Sequence, residues 1–125
     1  MVEKSTGGRL PVVTNPVADK ISIYIGLGPH LETIGLDKLE FAYVDGFEVA
    51  FPDAQSIVIA GNSEWGVTEF MERYIGVRWL MPGPFGTDLP EHKTLSIPAE
   101  TVRQAPSFES RQLQYATGPQ TSAPQ

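Results

Sequence analysis

Glycoside cleavage commonly uses two carboxyl groups about 5–9.5 Å apart, one as acid and one as nucleophile or base. Glu69 and Glu72 lie three apart, on one side of a candidate helix. They flank its apolar stripe, which makes them a solvated face with Glu69 at i,i+4 to Arg73. Asp88 and Glu91 sit in a proline-rich loop and read as surface. His30 and His92 stand alone and far apart in sequence, with no H-x-x-H or H-E-x-x-H spacing, so no metal site is expected. Ser63 and Ser107 have no neighbouring base and no G-x-S-x-G elbow. Gly26-Leu-Gly28 follows a strand as a nucleotide loop would, but Leu31 stands where G-x-G-x-x-G needs glycine, and a turn explains the pair equally well. No cofactor is therefore expected. Trp65, Tyr74, Trp79 and Phe85 cluster around the helix and the strand after it. Flat aromatic faces stack on sugar rings, although core packing is the commoner use of a tryptophan. Trp65, Trp79 and Phe85 are thus candidate carbohydrate or inter-domain contacts.

The elements that must position these residues are few. Leu10 to Thr14 is a β-branched run ended by Asn15-Pro16, and Ile21 to Ile25 alternates with three isoleucines on one face. Gly46 to Phe51 alternates likewise, and Ser56 to Ala60 is apolar on both faces, as a central strand is. Pro52 to Gln55 joins these two as a four-residue hairpin loop. Val77 to Leu80 reads as a fifth strand, and Thr94 to Ile97 as a short edge piece. Asn62 or Ser63 can cap a helix over Ser63 to Tyr74, in which Val67, Phe70, Met71 and Tyr74 form one stripe. Gly76 stops it in a left-handed C′ position. Gly66 inside it implies close approach of helix and sheet. A shorter helix is expected around His30 to Ile34 with Pro29 in its first turn, and Val2 to Thr6 resembles the last turn of another. The fold expected is α/β in the wider sense, an α+β sandwich. A mixed, largely antiparallel sheet carries helices packed on one face.

Composition bounds the rest. The chain has 125 residues, 41% hydrophobic and 19% charged, enough for one domain with one core. Its net charge is −6, and its nine basic residues form no run, which argues against nucleic-acid or anionic-membrane partners. Cysteine is absent, which removes disulfides, thiolate zinc sites and cysteine nucleophiles. No apolar stretch approaches the roughly 20 residues that span a bilayer, and MVEKSTGGRLP contains no apolar signal core. Seven of the eleven prolines lie between Pro82 and Pro124, so that stretch reads as loops and extended pieces.

Several runs, taken in order, resemble a known group: Asp45-Gly-Phe-Glu-Val49, Ile57-Val-Ile-Ala-Gly61, Trp65 through Leu80, Pro82-Gly83, Gly86-Thr87, and Pro106-Ser-Phe-Glu-Ser-Arg111. The chain from about Gly7 to Arg111 resembles the N-terminal α/β domain of bacterial alpha-glucuronidase-like glycoside hydrolases, itself similar to the second domain of beta-hexosaminidases. In such proteins the small domain precedes a (β/α)8 catalytic barrel that holds both catalytic carboxylates. The resemblance therefore offers no catalytic residue for these positions. It implies an accessory domain over residues 1–106, shortened at its start, with 107–125 as a linker toward an absent barrel. It also implies export to the periplasm or the exterior, and a role in polysaccharide degradation.

Two rivals remain. A stand-alone carbohydrate-binding module using Trp65, Trp79 or Phe85 predicts a row of exposed aromatics, whereas the accessory reading predicts buried tryptophans. A small independent hydrolase needs two close carboxylates in a pocket, and no such pair is visible.

Overall fold

The computed structural model describes residues 1–110; the segment 111–125, which holds most of the expected linker, lies outside the described residues. Three short helices and six strands follow in the order α1 (Val2–Thr6), β1 (Ser22–Ile25), α2 (Pro29–Thr33), β2 (Phe47–Asp53), β3 (Ser56–Gly61), α3 (Ser63–Phe70), β4 (Arg78–Trp79), β5 (Thr87–Asp88) and β6 (Val102–Gln104). The main sheet has the order β1-β3-β2-β6. β1 runs parallel to β3, while β2 is antiparallel to both β3 and β6. The sheet is thus mixed and largely antiparallel, and the domain is α+β. A separate two-stranded ribbon pairs β4 with β5.

Alternation along the strands decides what each face carries. Ile23, Phe47, Val49, Ile57 and Ile59 point to one side, where they pack with Phe70, Tyr74, Ile75, Val77 and Val102 of the larger core cluster. Helix α3 covers this face. Gly66 is buried there, and a Cβ on it would come within 2.4 Å of Ile59 Cγ2, so the close approach expected of this glycine is real. Val58 and Ala60 point to the opposite side, where Leu31 of α2 and the partly buried Ile34, Leu36 and Leu39 form a smaller cluster. Helix α3 occupies one face as the pattern implies, but α2 and its following loop seal the other, so the helices are not confined to one face as expected.

The hairpin between β2 and β3 is tighter than a four-residue loop. Asp53 pairs with Ser56, leaving Ala54-Gln55 as the turn. The Asp53 carboxylate accepts the Gln55 N–H at 2.7 Å and the Ser56 hydroxyl at 3.0 Å, which pins the turn. The register slips by one between Ala50 and Asp53, where Pro52 has no N–H to give the ladder.

Helix α3 begins as expected and ends differently. Asn62, not Ser63, is the cap: its Oδ1 accepts the Trp65 N–H at 3.2 Å. After Phe70 the helix widens into a π-turn over Met71–Ile75 and stops at Gly76, φ 83°. The amides of Gly76 and Val77 both donate to the Met71 carbonyl, at 3.0 and 3.2 Å. Ile75 is buried beside Tyr74, which extends the stripe to the i+8 position from Val67.

Three expected strands need correction. Leu10 to Thr14 forms no strand; the chain from Gly7 to Ile21 is exposed throughout, with Val12 at 103% relative exposure. β-branched residues favour a sheet only where a neighbouring strand packs against them, and none does here among the described residues. Val77 to Leu80 shrinks to Arg78–Trp79 and joins the ribbon instead of the main sheet, while Val77 turns into the core. Thr94 to Ile97 is not an edge strand, although Leu95 and Ile97 pack on the larger cluster. The edge is taken by Val102–Gln104, whose single apolar residue left little pattern to read.

Candidate functional site

The three candidate aromatics lie on different elements. Trp65 stands in the first turn of α3, two residues before the stripe begins at Val67, a step of about 200° around a helix. It is 47% exposed for that reason. Trp79 lies on β4 opposite Thr87 and is 42% exposed, because the ribbon stands apart from the main sheet. The burial that an accessory domain predicts for its tryptophans is therefore not found in this chain. Phe85 occupies a 3-10 turn, Pro84–Gly86, at the tip of the ribbon and is 99% exposed.

The ribbon tip is held tightly by its own backbone. Leu80 N–H donates to the Gly86 carbonyl at 2.7 Å, and Gly86 N–H to the Gly83 carbonyl at 3.1 Å. Gly86 is buried, and a Cβ on it would overlap the Met81 carbonyl, so no other residue fits this crossing. The result is a fixed loop presenting Leu80, Met81 and Phe85 to solvent.

A shallow cleft of about 500 Å³ runs between α1, the following segment and α3. Val2, Leu10, Met71 and Trp79 line it with apolar surface, and Arg9 and Thr68 add polar groups. Trp65 and Phe85 do not line it, so the structure does not gather the three aromatics into one cleft. A second hollow of about 370 Å³ lies at the start of β1, with Lys20, Tyr24 and Asp53 among its walls.

The candidate acids do not gather in either hollow. Glu69 forms an ion pair with Arg73 at 2.6 Å, the i,i+4 contact expected, and the carboxylate holds the guanidinium proton more firmly than usual. Glu72, Asp88 and Glu91 are not among the residues lining either hollow. The Asp53 carboxyl lies below the ordinary aspartate range because the Gln55 N–H, then the Ser56 hydroxyl, favour its charged form. Burial raises the Tyr74 phenol, whose hydroxyl donates to the Glu100 carbonyl at 3.4 Å.

The histidines are structural neighbours of different parts. His92 Nε2 lies 2.8 Å from the Ile75 carbonyl, and the His92 N–H donates to the Ser5 carbonyl, which docks α1 onto the loop after β5. His30 stacks on Tyr24 with ring centroids 3.9 Å apart. Among the described residues no group of three or more His, Cys, Asp or Glu could hold a metal ion.

Sequence reasoning missed one charged arrangement. Glu48, on the α2 side of the sheet, is buried and pairs with Arg103 across the β2–β6 ladder at 3.2 Å. The same guanidinium donates to the Glu40 carbonyl and lies 4.6 Å from the centre of the Phe41 ring. The signal available was Glu48 in an otherwise apolar strand, which demands a cation opposite. What was hidden was the strand carrying Arg103. No protein-family model, no curated protein and no solved structure matches this chain.

Proposed function

We propose that this chain is a non-catalytic accessory domain of a glycoside hydrolase acting on polysaccharide, packing beside a (β/α)8 catalytic barrel. The observation that carries the reading is the ribbon tip, where a backbone-locked loop holds Leu80, Met81 and Phe85 in solvent. Fixed, contiguous apolar side chains gain most when a neighbouring surface covers them. The α+β fold agrees with the resemblance carried by Asp45–Arg111. A second reading, a stand-alone carbohydrate-binding module, is favoured by the exposure of Trp65 and Trp79.

Tryptophan fluorescence separates the two. Titration with neutral and acidic oligosaccharides is expected to leave the spectrum of the accessory domain unchanged. Addition of a cognate barrel is expected to raise its melting temperature, an effect that Phe85→Ser removes. Saturable quenching by a saccharide, lost in Trp79→Ala, replaces the accessory reading with the binding module.

A further inference from the structure

Strand β1 is the outermost strand of the sheet, and no described residue pairs with its far side. Ser22 and Gly26 donate to the Gln55 and Ile59 carbonyls of the β3 side, at 2.8 and 3.0 Å. Strand alternation then turns the N–H and C=O groups of Ile23 and Ile25 outward, away from β3. Natural edges are usually blunted by charge, proline or a bulge. From Ile21 to Gly28 this edge has none of these. It is apolar instead: Ile21, Ile25 and Leu27 are all exposed. The opposite edge, β6, carries Arg103 and is followed by Pro106.

We infer that β1 is a self-pairing edge: two copies of this chain join β1 to β1 in antiparallel register, extending the sheet across a two-fold axis. The register closes on itself. With Ile23 opposite Ile23 of the second copy, Ile25 falls opposite Ile21 and Ile21 opposite Ile25. Ile23 and Ile25 are outward-bonding positions of β1. Ile21 precedes the strand, but its carbonyl shares a peptide with the Ser22 N–H that points to β3, so it faces outward and accepts the Ile25 amide of the second copy. All three side chains lie on the same face of the sheet, so six isoleucines meet in one apolar cluster across the axis. A two-fold contact requires such self-complementarity, and the uncharged edge keeps like charges out of it despite the net charge of −6 on each chain. The exposed Leu10–Thr14 run offers an alternative strand, but its residues are not placed in this register by any described contact. The pairing needs neither a barrel nor a sugar.

Sedimentation equilibrium of the full chain over a wide concentration range tests this. A reversible dimer is expected. Ile25→Pro removes an outward donor without touching the β1–β3 ladder, and is expected to weaken dimerisation by about tenfold or more, two symmetry-related hydrogen bonds being lost. Val12→Lys is expected to leave it unchanged. Hydrogen exchange on the unaltered chain gives an independent reading, since the Ile23 and Ile25 amides should exchange more slowly as concentration rises. A monomer at every concentration overturns the inference. So does a dimer whose Ile23 and Ile25 amides show no added protection, or one that Val12→Lys abolishes, which makes the Leu10–Thr14 run the occupant.

Discussion

Phe70 is 5% exposed and packs on Tyr74 with ring centroids 5.2 Å apart, so it anchors α3 to the sheet. Phe70→Ala is expected to cost about 3–5 kcal/mol in urea unfolding, as truncations of buried aromatics do. Gly66 poses a contest between two effects. Alanine raises helix propensity by about 1 kcal/mol, but its methyl must enter space held by the fully packed Ile59. Overpacking costs about 1–3 kcal/mol, so Gly66→Ala is expected to lower stability, against its propensity. Asp53 gives a pH signature. Its carboxyl is depressed in the folded chain, so its contribution is present above the unfolded aspartate pKa of about 3.9 and is lost as pH falls through the lower folded value. The stability gap between the parent and Asp53→Asn should therefore be open at pH 7 and close below about pH 4. A gap constant from pH 7 to pH 2 would show that turn shape, and not charge, carries the effect.

Elements were legible where period and punctuation agreed. α3 was readable because Asn62, the Val67–Phe70–Met71–Tyr74 stripe and Gly76 all mark one helix. Asn62→Ala is expected to cost about 1 kcal/mol by leaving the Trp65 N–H without its acceptor, checked by the same unfolding measurement. β2 and β3 were readable from alternation and from their connecting turn, although the turn's length was set by the Asp53 side chain, which a count of turn residues does not register. Leu10–Thr14 and Thr94–Ile97 show the opposite failure. Their composition is strand-like, yet a strand exists only through its partner, and sequence pattern holds no partner information. Val102–Gln104 is the complementary case, a strand made by pairing with Phe47–Val49 and by the Glu48–Arg103 ion pair. Arg103→Ala should cost about 1–2 kcal/mol, since it strands the buried Glu48 carboxylate while the half-exposed arginine limits the loss.

At the scale of the whole molecule, core and surface differ in what they made legible. The core residues announced themselves by period, whereas Trp65 and Trp79 gave types without positions, and their exposure follows from helix phase and from a ribbon detached from the main sheet. The same distribution of groups bears on catalysis. Hydrolysis of a glycoside commonly uses a proton donor and a second carboxylate within about 5–9.5 Å, together beside the substrate. Among the described residues Glu3 is the carboxylate lining the larger cleft and Asp53 the one lining the smaller, so each hollow holds half of a pair. Glu69 and Glu48 are each drawn to an arginine. Residues 111–125 contain no aspartate or glutamate that could complete either site. The 125-residue chain is accordingly expected to hydrolyse no aryl glycoside or aldouronic acid at any pH from 4 to 8. A chromogenic assay on a preparation cleared of host glycosidases decides it. Turnover that persists through purification and disappears in Glu3→Gln or Asp53→Asn would mean that a single carboxylate here works with a partner group outside the carboxylate set, and the accessory-domain reading would fall.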